Sequence, residues 1–120
     1  MVTLSLDQAS GVLLLHPAGP LTAEDFTQIA ATADPFIESN GSLKAVVIEA
    51  AHFPGWENFG AAASHFRFIR DHHQKIRKVA IVTDSPLGAA AEHLGSHFVA
   101  AEIKHFPSSR SSEAKAWASA

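Results

Sequence analysis

The stretch LKAVVIEA, residues 43–50, decides the fold of this 120-residue chain. It is nearly continuous in apolar residues, which is typical of a strand in a sheet covered on both faces. A second run of the same kind, RKVAIVT, occupies residues 77–83. Between the two runs, apolar residues recur at helical spacing. A strand–helix–strand order of this kind favours parallel pairing through a right-handed crossover.

A β-hairpin and a helix are predicted before the first of these strands. Residues 2–6 alternate between apolar and polar, and residues 12–15 form a second, more buried strand of the same hairpin. Thr22 is a good N-cap, and Asp25 three residues later completes a variant of the capping box. The helix that starts there is predicted to end at Gly41.

Pro35 lies inside this first helix. An interior proline costs about 3 kcal/mol in a regular helix, because it removes a backbone hydrogen bond and clashes with the preceding turn. We therefore expect a kink there, or a restart of the helix with Asp34 as the cap.

The helix between the two buried strands is predicted to run from Trp56 to about residue 73. Its core-facing stripe is predicted from the residues at helical spacing, which are Trp56, Phe59, Ala63 and Phe66, with Ile69 beside them. Phe68 lies about 200° from Phe66 around the helix. We therefore expect Phe68 to be partly exposed, in a patch suited to homodimerisation or to partner docking.

Three more elements complete the predicted domain. Ser85 and Pro86 are typical of a helix start, as cap and first helical residue. Residues 102–106 predict a short edge strand, and residues 113–118 a last helix anchored by Trp117. The order β-β-α-β-α-β-α-β-α predicts a single α/β domain over residues 1–120. Its sheet is expected to be mixed and mostly parallel, with five strands, an N-terminal β-hairpin and four helices.

Composition excludes several classes of function. The formal net charge is -3 and the basic residues are scattered, which argues against a nucleic-acid partner. The chain has no cysteine, so disulfides, thiolate metal sites and cysteine nucleophiles are excluded. Its apolar runs are far shorter than the roughly 20 residues of a membrane-spanning helix, and its start lacks the pattern of a signal peptide. We therefore expect a cytoplasmic protein without an integral membrane segment.

The sequence shows no catalytic or cofactor-binding motif. It has no G-x-S-x-G elbow, no P-loop and no G-x-G-x-x-G, and no carboxylate pair in an evident cleft. We therefore predict no catalytic residue and no cofactor, and a protein that is not an enzyme. A small enzyme with an unrecognised site stays an alternative.

Eight histidines raise the question of a metal site. His93 and His97 are four residues apart and can share a helix face, which is the spacing that two zinc ligands need. A third ligand would come from His65, His72 or His73 on the preceding helix, or from Glu92. Isolated surface histidines are the commoner explanation of such a pair, and divalent-metal binding is kept as an alternative function.

The most informative candidate site follows the third strand. In an open parallel sheet, ligands bind beyond the carboxyl ends of the strands. The loop from Phe53 to Trp56 lies at that edge, and so do Asp84 and Ser85 at the next strand–helix junction. Trp56 is either part of a ligand pocket or partner surface, or a plug for the end of the core.

Four segments, taken together, resemble one family. They are LTAEDF at residues 21–26, FPGW at 53–56, LGSHF at 94–98 and EAKAW at 113–117. In this order they resemble the SpoIIAA-like family, which belongs to the wider STAS and CRAL-TRIO (Sec14-like) fold group. The resemblance covers essentially the whole chain, and it implies β-α units whose successive strands lie side by side.

The resemblance also implies a binding or regulatory module. We expect the bound species to be an unknown protein partner or a small apolar, lipid-like ligand. The candidate binding residues from the strand-end loops and the following helix are Phe53, Trp56, Phe59, Phe68, Asp84 and Ser85. The best-known STAS proteins are switched by phosphorylation of a serine at the start of the helix after the third strand. Here that region reads FPGWEN, residues 53–58, and the first Ser or Thr after it is Ser64. The phosphoserine switch is therefore not carried over to this chain.

Overall fold

Strands and helices alternate along the chain in the predicted order. The computed structural model describes the backbone of all 120 residues, and every side chain except those of residue 87 and residues 94–98. The strands are β1 (Val2–Asp7), β2 (Val12–Pro17), β3 (Leu43–Glu49), β4 (Ile76–Val82) and β5 (Glu102–Phe106). The helices are α1 (Ala23–Asn40), α2 (Phe59–His72), α3 (Pro86–Phe98) and α4 (Ser111–Ser119), and single 3₁₀ turns follow α2 and precede α4.

The five strands form one sheet in the order β1-β2-β3-β4-β5. β1 and β2 are antiparallel, and the remaining neighbours are parallel, with Val46 of β3 opposite Val79 of β4. Every parallel crossover therefore steps in the same direction along the sheet. Crossovers of one hand that step in one direction carry their helices to one face. The predicted fold class is confirmed, including the hairpin at one edge and β5 at the other.

A large apolar cluster fills the sheet face that α1 and α2 cover. From α1 it takes Phe26, Ile29, Ala33 and Ile37, and from the sheet Val2, Leu13, Leu15, Leu43, Val46 and Ile76, together with Leu21. These spacings are the 3.6-residue period of a helix and the two-residue period of a strand. α3 reaches the same face, because it packs against the ring of His105, which alternates along β5 with Phe106 on the other face.

A smaller cluster lies under α4 on the opposite face. Trp117 packs there against Phe106, with 5.9 Å between the ring centroids. The ammonium group of Lys78 lies 5.2 Å from the indole centroid and donates to the backbone oxygen of Trp117. Trp117 anchors the last helix, as predicted.

α1 begins and ends as the sequence predicts. The Thr22 hydroxyl accepts from the backbone N–H of Asp25 at 3.1 Å, and the Asp25 carboxylate accepts from the backbone N–H of Thr22 at 2.9 Å. Gly41 ends the helix with φ +89°, a conformation that favours glycine. The predicted restart at Asp34 is wrong, because the helix continues through Pro35. Pro35 is exposed, and so is Ala31, whose carbonyl lacks its usual helical donor because proline has no N–H.

α2 differs from its prediction in its start and in its orientation. It begins at Phe59, where the Asn58 side chain caps it by accepting from the backbone N–H of Ala61 at 2.9 Å. Trp56 therefore precedes the helix. The predicted core stripe is also wrong, because Phe59 and Phe66 are exposed and Phe68 packs against the core.

Candidate functional site

The loop between β3 and α2 is fixed by backbone hydrogen bonds to the segment before α1. The N–H of Leu21 donates to the carbonyl of Gly55 at 2.8 Å, and the N–H of Glu57 donates to the carbonyl of Leu21 at 2.7 Å. These bonds form an isolated parallel bridge between Leu21 and Trp56. Gly55 has φ +79°, which turns the chain into the bridge. The backbone of Trp56 is therefore held beside the first turns of α2.

Trp56 belongs to a cluster of aromatic rings. Its indole lies edge-on to Phe53 at 5.2 Å between centroids, and 6.4 Å from the ring of Phe66. The imidazole of His65 stacks on Phe26 at 4.8 Å and lies parallel to Phe66 at 6.1 Å. The cluster connects the core residue Phe26 to the exposed residue Phe66 through one histidine.

His65 is the polar member of the cluster, and sequence reasoning placed it only among the spare metal ligands. The indole N–H of Trp56 donates to its Nδ1 at 3.2 Å. Because an indole nitrogen can only donate, Nδ1 carries no proton and the ring is neutral, with its proton on Nε2. Burial lowers the pKa of His65 and so favours the same neutral form.

Three large apolar side chains of this region face the solvent. Phe59 is 88% exposed, Phe66 64% and Trp56 38%. Phe59 and Phe66 are seven residues apart on α2, so they lie on the same side of the helix. We call the surface formed by Phe59, Phe66 and Trp56 the aromatic face.

Two arginines lie beside the aromatic face on α2. Arg67 donates to the hydroxyl of Ser64 at 3.1 Å, which leaves its charge without a counterion in that contact. Arg70 lies one turn beyond Phe66, and its guanidinium donates to Asp71 at 3.0 Å. The C-terminal rim of the face is therefore cationic, mainly through Arg67.

The structure brings some of the predicted site residues together. Phe53 and Trp56 are in contact, and Trp56 and Phe59 both belong to the region of exposed aromatics. Phe68 lies on the other side of α2, where its ring stacks on His72 at 4.0 Å and lies 6.2 Å from Phe26. The exposed aromatic residue that we assigned to Phe68 is therefore Phe66.

Asp84 and Ser85 form a separate region at the end of β4. The Asp84 carboxylate accepts from the backbone N–H of Ser108 at 2.9 Å and from its hydroxyl at 2.5 Å. These hydrogen bonds lower the pKa of Asp84. The carboxylate therefore connects β4 to the turn before α4, while the backbone N–H of Ser85 donates to the hydroxyl of Thr83.

A second histidine joins α1 to α2, and sequence reasoning named it only as a possible third metal ligand. His72 is buried, with Nε2 2.7 Å from an Asp34 carboxylate oxygen and Nδ1 2.8 Å from the carbonyl oxygen of Phe68. The carboxylate and the carbonyl are both acceptors, so each ring nitrogen of His72 lies within hydrogen-bond distance of one acceptor. The contact fixes the spacing of the two helices that cover the sheet.

The predicted metal pair lies partly outside the described side chains. His93 is described and His97 is not, so the pair stays a prediction. Among the side chains that the structure describes, no group of three or more histidine or carboxylate residues is arranged to hold a metal ion.

Two open hollows lie away from the aromatic face. The first, of about 450 Å³, lies between the C-terminal ends of α1 and α2 and is lined by Asp34, His72 and Lys75 among others. The second, of about 300 Å³, lies beside the hairpin turn and is lined by residues that include Lys44 and Arg77. Neither is lined by a member of the aromatic face. No helix in the described part of the chain has the length and apolar character needed to cross a membrane.

Comparisons with known proteins agree on the fold. The sequence model of the SpoIIAA-like family matches residues 12–119. The crystal structure of an uncharacterised protein from Shewanella loihica PV-4, described as having a SpoIIAA-like fold, matches with a TM-score of 0.72 and 21% sequence identity. The match covers 98% of this chain and 91% of that one, and at this identity it shows the fold alone. No curated protein sequence matches the chain.

Proposed function

This chain belongs to the SpoIIAA-like family, and on that premise we propose that it is a non-enzymatic module that binds a partner protein through the aromatic face. The occupant that we propose is an amphipathic helix of the partner, with an apolar stripe and acidic residues beside it. The observation that carries the proposal is the exposure of Phe59, Phe66 and Trp56 on one surface.

Exposed aromatic rings at this density call for an explanation. A single exposed apolar side chain is ordinary, whereas a group of them on one surface is typical of an interaction site. Full burial of a phenylalanine side chain contributes about 1.5–3 kcal/mol. Phe59 and Phe66 forgo most of that in the isolated chain, and a partner that covers both recovers it.

The charges at the rim indicate the chemistry of the partner. The chain as a whole carries a net charge of -3, yet Arg67 and Arg70 lie beside Phe66. Arg70 already pairs with Asp71, so Arg67 is the cation that a partner would neutralise. Complementary charges at a rim add specificity and speed association. A partner helix with acidic residues beside its apolar stripe would cover the aromatic face and neutralise Arg67.

The shape of the site favours a protein over a small apolar ligand. Small ligands bind in concave pockets that enclose most of their surface. The rings of Phe59 and Phe66 stand on the outer side of a helix, and the two hollows described above are lined by other residues. Laying a helix against such a surface, with side chains three, four and seven residues apart, is a common mode of peptide recognition.

A designed peptide tests the proposal. The probe is an amphipathic helical peptide with leucine on one face and glutamate on the flanks, and its matched control carries lysine in place of glutamate. We expect the glutamate peptide to bind and to shift the NMR resonances of the aromatic face. Substitution of hot-spot aromatics costs about 2 kcal/mol or more, so Phe59→Ser with Phe66→Ser should weaken binding by about thirtyfold or more.

Control variants test the role of the Arg67 charge and the identity of the molecule that covers the aromatic face. Arg67→Ser should weaken binding of the glutamate peptide, whereas Arg110→Ser, at an exposed arginine of the turn before α4, should not. Equal binding of the two peptides, or binding that survives the double phenylalanine substitution, would contradict the proposal. So would a wild-type dimer that Phe66→Ser converts to a monomer in light scattering, because the occupant would then be a second copy of this chain.

A further inference from the structure

We propose that His65 is a proton-sensitive latch for the aromatic face: its neutral ring holds the Trp56 indole in place, and protonation releases it. The expected effect on partner binding rests on the function proposed above. The latch itself is a property of the isolated chain and is tested without a partner.

One hydrogen bond connects the two side chains. The indole N–H of Trp56 donates to Nδ1 of His65, and the centroids of the two rings are 5.9 Å apart. The backbone of Trp56 is fixed separately by the bridge to Leu21. Loss of the hydrogen bond therefore removes a polar anchor of the indole, which can then turn about its side-chain bonds against the rings of Phe53 and Phe66 while the loop stays attached.

Protonation removes the acceptor. An imidazolium ring carries a proton on each nitrogen, so Nδ1 would present an N–H to the N–H of Trp56. Two donors facing each other cannot bond, and the indole must turn away. The positive charge would also be placed between the rings of Phe26 and Phe66, in a half-buried site that is partly shielded from water.

The side chains around His65 are aromatic rings, so its protonation is governed by burial. From α1 it faces the ring of Phe26, from the loop the indole of Trp56, and from its own helix the ring of Phe66. Among the described side chains no ionisable group contributes to its lowered pKa, which burial alone explains. The neutral latch is therefore closed at neutral pH and opens on acidification.

NMR of the wild-type chain tests the latch directly. The chain has two tryptophans, and Trp56→Phe identifies the indole N–H resonance of Trp56. We expect that resonance to move and to exchange faster with water as the pH is lowered from 7.5 to 5, with the same midpoint as the imidazole protons of His65. The Trp117 resonance should not follow that transition.

Two variants complete the experiment. In His65→Gln the amide oxygen can accept from the indole without titrating, so the Trp56 resonance should become independent of pH. His16→Gln, at an exposed histidine on β2, should leave the transition unchanged. A Trp56 resonance that stays constant while His65 titrates in the wild-type chain would overturn the latch, and so would a transition that persists in His65→Gln.

The peptide then separates the two proposals. As the pH is lowered from 7.5 through the midpoint of the Trp56 transition, we expect affinity for the glutamate peptide to fall roughly tenfold or more in the wild type, since an ordered aromatic anchor is lost. The fall should be absent in His65→Gln. A Trp56 transition without any peptide binding would leave the latch standing and refute the proposed function. Peptide binding with no Trp56 transition would support the proposed function and refute the latch.

Discussion

Replacing phenylalanine by serine at three positions of α2 separates the exposed face of this helix from its buried face. Serine and phenylalanine have similar helix propensities, so the change measures the surroundings of each ring. Phe59 is 88% exposed and Phe66 64%. With about 1.5–3 kcal/mol for full burial, Phe59→Ser should cost below about 0.4 kcal/mol and Phe66→Ser about 0.5–1 kcal/mol. Phe68 packs against the core, and Phe68→Ser should cost about 2–3 kcal/mol, below the range of fully buried sites.

Thermal unfolding followed by circular dichroism measures these differences. For a chain of 120 residues, each kcal/mol shifts Tm by about 4 °C. Phe66→Ser should therefore lower Tm by about 2–4 °C and Phe68→Ser by about 8–12 °C. A loss for Phe66→Ser as large as that for Phe68→Ser would show that the Phe66 ring is part of the core, and would refute the aromatic face as an exposed binding surface.

Three further predictions concern the contacts around the sheet. Burial lowers the pKa of His65 in the folded chain, so the unfolded chain takes up the proton first as the pH falls. The free energy of unfolding should therefore decrease as the pH drops below about 6.5. His65→Gln should reduce this pH dependence, as measured by urea titrations at several pH values. A Cβ at Gly88 would lie 2.6 Å from the ring of His105. Gly88→Ala should therefore cost about 1–3 kcal/mol from overpacking, more than the roughly 1 kcal/mol that alanine returns in a helix, and a more stable variant in urea would contradict this close approach. A double-mutant cycle with Asp34→Asn and His72→Gln should give a coupling of about 1 kcal/mol, reduced by the partial exposure of the carboxylate; a coupling near zero would mean that the pair contributes nothing to the docking of α1 on α2.

Most of the architecture could be predicted because its signals are local. The strand at residues 43–50 is apolar on both faces, since helices cover both sides of β3. Thr22 and Asp25 form the capping box that their three-residue spacing suggests, and Gly41 ends α1 at the positive φ that favours glycine. Each of these features depends on residues close together in the chain, so tertiary contacts had little opportunity to override them.

The orientation of α2 could not be predicted in the same way, because two histidines lie on its buried side. His65 and His72 count as polar in a hydrophobic pattern, which made the side that carries them look solvent-facing. Both are accommodated by partners distant in sequence: Phe26 stacks on His65, and Asp34 pairs with His72. The start of the helix was wrong for a related reason, since the bridge of Trp56 to Leu21 holds that residue outside the helix.

The wrongly predicted orientation of α2 bears on the proposed function, because the helix has apolar side chains on two sides. A helix that covers one face of a sheet needs one apolar stripe, and here Ala61 and Phe68 on the inner side contribute to it, with His65 between them and His72 one turn beyond Phe68. Phe59 and Phe66 are then a second apolar stripe, which the packing on the sheet does not use. Apolar side chains in excess of what the core requires reduce solubility and contribute little to stability, so a second stripe is expected where something outside the chain covers it. The sequence thus contained more apolar residues on α2 than one side of a helix can bury, and this excess is the pattern behind the proposed binding surface.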